Sequence, residues 1–554
     1  MWIAPIHRCR PVGSAAVTPP EASTDRRDSA SMGRLRSACE PAFRLVERVS
    51  PIVVVVALVA ATVARFLTRS DLWLDEALTT NISRLPIGEI GPWLRHDGAP
   101  PLFYWMLHGW MTLFGTSDVA VRSLAGVFGV AALPLAFVVG KRVGGSTTAW
   151  IALIVLACNP YAVRFATETR MYGVEIFLSF LGILAVRRAF ERPQHWRLLL
   201  VALVAAALVL THYWALSLVA VSAGYALLVA WRSVDLRPAA LRVFVAIGVG
   251  AASFLVWVPN FLYQAKHTGT PWAVAQLPPI PIARSILEFV GGDRTEGWAL
   301  VYVAVALLIV GVAGHATERG TIEIDIRTHS SVAPEAFVGF FGLAIGATVA
   351  YAGGSGFQAR YVALILPFFV IVVARGISLL GNARVRSGTV AFVMLAGAAG
   401  VARNITDSRT QGGDAARVIL RAATAGDVVV YCPDQLGPSV HRVLERSPSK
   451  QLVEMAYPNR RDVALVDWVD YTSRLDAVSA VDSARTVLAF VPSGANIFVV
   501  TSAGYITHAQ RCDEFVDALA VQSKRQRKLL LASDPEVLEH ANVIQLPASP
   551  LASE

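Results

Sequence analysis

The chain has 554 residues, of which 55% are hydrophobic and 16% charged, with a mean hydropathy of +0.52 and a net charge of +9. A water-soluble protein of this size has too little interior to hide so much apolar surface, so the composition excludes a soluble enzyme and gives a multi-spanning α-helical membrane protein. The basic residues lie mainly in short loops between apolar runs, where they act as topology signals, and no nucleic-acid partner is expected.

Residues 1–50, rich in Arg, Ser, Pro and Ala, read as a disordered cytoplasmic tail. Arg26, Arg27, Arg34, Arg36, Arg44 and Arg48 then direct a first span, about Pro51–Phe66, outward. Further apolar runs lie at about Val119–Gly140, Ala149–Cys158, Tyr172–Val186, Leu198–Leu210, Trp214–Trp231 and Val243–Val258. Four more follow at about Trp298–Gly314, Phe337–Tyr351, Tyr361–Ala374 and Val390–Val401, which makes about eleven transmembrane helices. Every second loop is basic, through Lys141 and Arg142, Arg187 to Arg197, Arg232 to Arg242, Arg319 and Arg327, and Arg375 to Arg386. The N-terminus is therefore inside and the C-terminus outside the plasma membrane.

A transmembrane domain over 51–405 thus precedes a soluble extracytoplasmic domain over 406–554. In the latter, DVVVYCPD, TVLAFVPSG and NIFVVTSAG read as strands, while SVHRVLERS and FVDALAVQSKRQRKLLL read as helices, a small α/β pattern. It has no GxG phosphate loop, so no nucleotide is assigned. Five cysteines without a CxxC pair give no metal framework. Cys432 and Cys512 form a disulfide if their region is extracytoplasmic, and otherwise remain buried thiols.

This topology gathers the polar features near the spans on the outer side: Asp75, Glu76, His96, Asp97, Arg164, Glu168, Arg170, Tyr172, His212, Lys266, His267, Arg360 and Tyr361. Ionisable groups at membrane depth are costly and mark function. A carboxylate here can take a proton from an attacking hydroxyl, while Arg, Lys and Tyr stabilise charge on a departing phosphate. The set therefore suits transfer from a lipid-linked phosphate.

Five motifs carry a resemblance: WLDEALT after the first span, DGAPPLFYWMLHGWMTLFGTSDVAVRSLAG, NPYAVRFATETRMYG, THYWAL and RYVALILP. Together they resemble the GT-C glycosyltransferases, in the branch of protein O-mannosyltransferases and aminoarabinose transferases. The resemblance implies a sugar donor carried on polyprenyl phosphate and a glycan, lipid or protein acceptor; the bilayer is the other partner, and no cofactor is expected. It also implies a catalytic acid in the first outer loop, matched by Asp75 with Glu76 beside it, and an inverting single displacement. Donor-phosphate contacts are matched by Arg170 and Arg360, and more loosely by Arg164 and Lys266. Ala99 stands before Pro-Pro, where the aminoarabinose transferases have Lys, so the phosphate contacts and the donor sugar are open.

Each feature also has a structural reading. Asp75 and Glu76 suit the first turn of a helix. Arg170 suits pairing with Glu168. His96 and His212 suit hydrogen bonding in a polar pocket better than a metal, since they lack a fixed ligand spacing. Trp73, Tyr104, Trp105 and Trp110 suit an interfacial belt. A transporter or lipid-linked-sugar flippase is the rival function; it would place its charges near the midplane and show repeated halves.

Overall fold

The computed structural model of the chain describes residues 52–547, apart from 270–273, 318–320, 326–329, 448–449, 459–461, 504, 506–507, 509, 522–525 and 533–536. The expected N-terminal tail, Arg319 and Arg327 lie outside the described residues.

Among the described residues helix α1 (Ile52–Ala64) comes first and is followed by three short helices, α2 (Leu74–Arg84), α3 (Ile87–Trp93) and α4 (Leu102–Phe114). Pro100 and Pro101 stand directly before α4, where a proline costs no helical hydrogen bond. The next helix, α5 (Asp118–Ala157), has 40 residues and would run straight for about 60 Å, twice a hydrocarbon core. Its backbone instead leaves helical geometry at Gly144 and Gly145, the latter with φ +78°. The two halves fold back on each other so closely that a Cβ on Gly140 would sit 2.9 Å from the Thr148 carbonyl oxygen. This hairpin accounts for the short third apolar run and returns the chain to the end where α5 began.

Helix α6 (Pro160–Ala166) lies at that end, and α7 (Tyr172–Glu191), α8 (His195–Thr211), α9 (Ala215–Arg232) and α10 (Arg237–Ala252) follow. The expected polar loop up to Gly297 contains two short helices, α11 (Val258–His267) and α12 (Pro279–Phe289). Beyond it come α13 (Thr295–Ala313), a hairpin of β1 (Gly314–Ala316) and β2 (Ile322–Ile324), and α14 (Ala333–Ala352). A 3-10 segment, Ala359–Ile365, then leads into α15 (Leu366–Ser378), and α16 (Ala383–Thr406) completes the bundle.

Among the described residues seven helices are long and apolar enough to cross a membrane, and α1 and α8 are shorter apolar helices. The protein is thus a multi-pass membrane protein. The sequence suggested about eleven crossings; length and apolarity give a smaller number because α5 counts once, α1 and α8 are short, and α7 carries Glu175, Arg187 and Arg188.

The C-terminal region folds as α17 (Gly412–Ala422), β3 (Val428–Cys432), α18 (Gly437–Leu444), β4 (Val453–Ala456), α19 (Tyr471–Asp476), α20 (Ala480–Phe490), β5 (Ile497–Thr501), α21 (Arg511–Ala520), β6 (Arg527–Leu530) and β7 (Asn542–Leu546). Its sheet has the order β4-β3-β5-β7-β6, parallel from β4 to β5 and antiparallel beyond. Every residue of β3 and β5 is buried, as continuous apolar runs in a covered sheet should be. A disulfide joins Cys432, at the end of β3, to Cys512 in α21.

Two assignments need correction. TVLAFVPSG is not a strand: through Phe490 it belongs to α20, whose buried Ala480, Ala484 and Val487 follow the helical period. The expected last helix ends at Ala520, and its RKLL run forms β6.

Candidate active site

Successive helical residues point about 100° apart, and that rotation separates the two neighbouring acids of α2. Glu76 turns into the protein, where it is fully buried and meets Arg122 of α5 twice, Nε to Oε1 at 2.7 Å and Nη2 to Oε2 at 2.5 Å. The Thr169 backbone N–H also donates to Glu76 Oε1 at 2.9 Å, and Arg409 Nη1 lies 3.9 Å from Oε2. Burial works against ionisation of Glu76, but Arg122, Arg409 and the Thr169 N–H outweigh it and hold the carboxyl below its usual range. Glu76 is thus held in an ion pair at the root of the loop and, unlike Asp75, does not line the cavity that Asp75 faces.

Asp75 faces the other way, into a cavity of about 460 Å³ between the bundle and the C-terminal domain. Its Oδ2 lies 3.6 Å from Arg360 Nη1, and the Arg360 guanidinium in turn sits over the Trp73 ring, 5.2 Å from its centroid. Thr79, one turn after Asp75 on the same side of α2, accepts a 2.7 Å hydrogen bond from Arg170 Nη1. Arg170, His212 and Tyr361 line the same cavity. His212 Nδ1 is 3.2 Å from Glu175 Oε1.

Asp97, which the sequence placed on the outer face without a role, is a second acid in this cavity. It is positioned by Gly98, whose φ of +82° favours glycine, and it accepts a hydrogen bond from the Tyr104 hydroxyl. Burial pushes its carboxyl above the usual range, against the pull of Arg170 and the Tyr104 hydroxyl.

Other expected site residues lie elsewhere. Arg164 and Glu168 pair with each other at 2.9 Å and line an adjoining cavity of about 290 Å³, which shares Trp73, Arg360 and Leu538 with the first. Tyr172 is buried behind the floor, its ring centroid 4.8 Å from that of Phe165 and 6.0 Å from that of His212. His96 turns outward to Asp467 at 2.9 Å, and Lys266 is exposed; neither lines the cavity. Among the described residues no three His, Cys, Asp or Glu side chains converge as a metal-binding group.

The roof of the cavity was not foreseen. Gln435, Trp468, Tyr505, Leu538 and Glu539 of the C-terminal domain complete its lining. Glu539 accepts from Ser439 Oγ at 3.0 Å and from the Thr410 hydroxyl, and burial pushes its carboxyl up to about 7. Several bonds hold roof to floor: the Trp468 N–H donates to the His96 carbonyl at 2.9 Å, Asn81 Nδ2 to the Ala464 carbonyl at 2.7 Å, Arg409 Nη1 to the Thr167 carbonyl at 2.7 Å, and Arg442 Nε to Asp118 Oδ1 at 2.8 Å.

The family model of the dolichyl-phosphate-mannose-protein mannosyltransferases matches residues 98–257, from the Asp97 loop to the end of the α10 region. The structure is similar to that of ArnT from Cupriavidus metallidurans in the apo state, with a TM-score of 0.57 at 14% identity over 91% of this chain and 100% of that one. The chain has the GT-C fold. ArnT from the same organism bound to undecaprenyl phosphate gives a TM-score of 0.54 at 13% identity, covering 90% of this chain and 99% of that one. A search of curated proteins by sequence finds no significant match. With 91% of this chain covered, the likeness extends from the helical bundle into the C-terminal domain.

Proposed function

We propose that the protein is an integral membrane glycosyltransferase that moves a sugar from a polyprenyl-phosphate donor to an extracytoplasmic acceptor by a single inverting displacement. The observation that carries this reading is the meeting of Asp75 and Arg360 at 3.6 Å, with Arg170 beside them, where two cavities adjoin. ArnT bound to undecaprenyl phosphate gives independent support for a polyprenyl-phosphate ligand in this fold.

In the proposed reaction Asp75 takes the proton of an acceptor hydroxyl, whose oxygen bonds to the anomeric carbon. The bond from that carbon to the phosphate oxygen breaks, and polyprenyl phosphate leaves with the electron pair. Arg170 and Arg360 stabilise the charge gathering on the phosphate. Glu76 does not enter the reaction; through Arg122 it fixes the loop that carries Asp75. The step invokes no metal and no organic cofactor. The arginines of alternate loops support an orientation with Asp75 and the C-terminal domain outside the cell membrane. Arginine- and alanine-rich usage supports a bacterial host with a cell-envelope glycan, lipid or secreted protein as acceptor.

The test is mass spectrometry of envelope glycolipids, glycans and secreted proteins from a deletion strain complemented with wild type or with Asp75→Asn at matched expression. One glycoform should vanish, its polyprenyl-phosphate sugar should accumulate, and wild type alone should restore the product. Restoration by Asp75→Asn would remove Asp75 as the base, and an unchanged glycoform profile would favour a transporter.

A further inference from the structure

The roof of the cavity has an architecture of its own. In the order β4-β3-β5 the chain leaves β3 for a neighbour on one side, and after β4 it crosses to the other side to form β5. Connections that depart to opposite sides leave a crevice beyond the C-terminal ends of the central strands, where open α/β sheets take their ligands. Here the crevice lies after Cys432 and Thr501. The residues that follow, Gln435 after β3 and Tyr505 after β5, are the ones that line the Asp75 cavity. The binding edge of the C-terminal sheet therefore opens onto the catalytic floor.

We propose that this crevice is the acceptor subsite and that it receives a sugar ring, so that the group glycosylated is a glycan hydroxyl. The proposal rests on the transferase reading above. Gln435 offers an amide donor and acceptor, and Tyr505 a hydroxyl, which suits neighbouring hydroxyls of a sugar. Trp468 offers an aromatic face with a polar edge, a rigid platform for the C–H face of a ring. It is held in place from behind by Tyr471, whose ring centroid lies 5.3 Å away. Tyr471 is itself fixed, donating to Asp434 Oδ1 at 2.6 Å with His508 Nε2 at 2.9 Å. Among the described residues no Lys or Arg of the roof lines the cavity, so the roof is not built for a phosphorylated headgroup. A peptide adding to the sheet would need an open strand edge, and those belong to β4 and β6, at the two sides of the sheet.

Saturation-transfer NMR on the full chain in nanodiscs tests the assignment without requiring turnover. The probes are a panel of hexose and pentose tetrasaccharides, a Ser/Thr-rich peptide and a short-chain phospholipid, each titrated over the same concentration range. At least one tetrasaccharide should bind, its affinity falling tenfold or more in Trp468→Ala and two- to fivefold in Gln435→Ala. Trp468→Phe, which keeps a ring, should stay within threefold of wild type. Undecaprenyl phosphate should bind Trp468→Ala within twofold of wild type, which shows the variant folded. The proposal falls if only the peptide or the phospholipid binds, if no tetrasaccharide binds, or if Trp468→Ala and Gln435→Ala bind sugar as wild type does. Its failure is separable from that of the transferase reading, since an unchanged glycoform profile in the deletion strain overturns transfer while saying nothing of binding, and the NMR result does the reverse.

Discussion

The floor and the roof of the cavity are built from different chemistry. The floor carries charges held against one another, Asp75 with Arg360 and Glu76 with Arg122 below it, beside Asp97, whose carboxyl burial raises. The roof presents an amide, an indole, a phenol and a carboxyl whose affinity for its proton burial has raised. Charges fixed in place suit a reaction that creates and moves charge, whereas neutral hydrogen-bonding groups suit recognition of a polar, uncharged molecule. The comparison thus matches the two proposed roles, chemistry at the floor and acceptor recognition at the roof.

The separation can be broken most sharply at Asp75. Asp75→Asn is expected to lower transfer by about 10²–10⁴-fold, the usual contribution of a general base, while donor binding measured with undecaprenyl phosphate stays within a few-fold. Next in size is Arg122→Leu, which leaves Glu76 buried without its main partner. A loss of about 3–5 kcal/mol is expected, read as a fall in Tm, with Glu76→Gln in the same chain restoring part of it. On the roof side, replacing Cys432 and Cys512 together by Ala is expected to cost about 2–5 kcal/mol, because the bridge closes a loop with a sequence separation of 80 residues. That loss should register in unfolding of the C-terminal domain.

Glu539 gives a smaller, pH-dependent effect. Its carboxyl is raised from 4.5 to about 7 in the folded protein, so between those values the folded state keeps a proton that the unfolded chain has released. Stability therefore falls as pH rises from 4.5 to 7, by on the order of 3 kcal/mol, and this contribution levels off above 7. Glu539→Gln should flatten that part of the pH profile of Tm; an unchanged slope would show that Glu539 is not the titrating group. Asp434, pushed up by burial to about 7, keeps its own share of the slope in that variant. The smallest effect is expected for Lys266→Ala, whose side chain is exposed outside the cavity: transfer should stay within twofold of wild type.

The two regions also differed in how far the sequence revealed them. The floor was legible because its charges stand out against apolar runs: Asp75, Arg170 and Arg360 were found as costly residues at span ends, and the structure brings them to one cavity. The split between Asp75 and Glu76 was not legible, since it depends on which face of α2 packs against α5. Arg122 carried a signal that was passed over, a charge one turn inside an apolar helix. The roof had no such contrast. Gln435, Trp468 and Tyr505 are ordinary residues of a soluble domain, and only the order of β4, β3 and β5 brings them together. The same limit explains TVLAFVPSG, whose short apolar run fits a strand and a helix equally until its neighbours show which face is buried.

The bonds that tie Trp468 to His96, Asn81 to Ala464 and Arg442 to Asp118 do more than close the cavity. They fix one binding surface beside another on a single chain, so a molecule resting on the roof meets the floor at an effective concentration set by geometry instead of by its abundance. Tethered arrangements of this kind reach the millimolar range and above. Under the proposed reaction an acceptor can therefore bind weakly, leave quickly once modified, and still react efficiently while it is held.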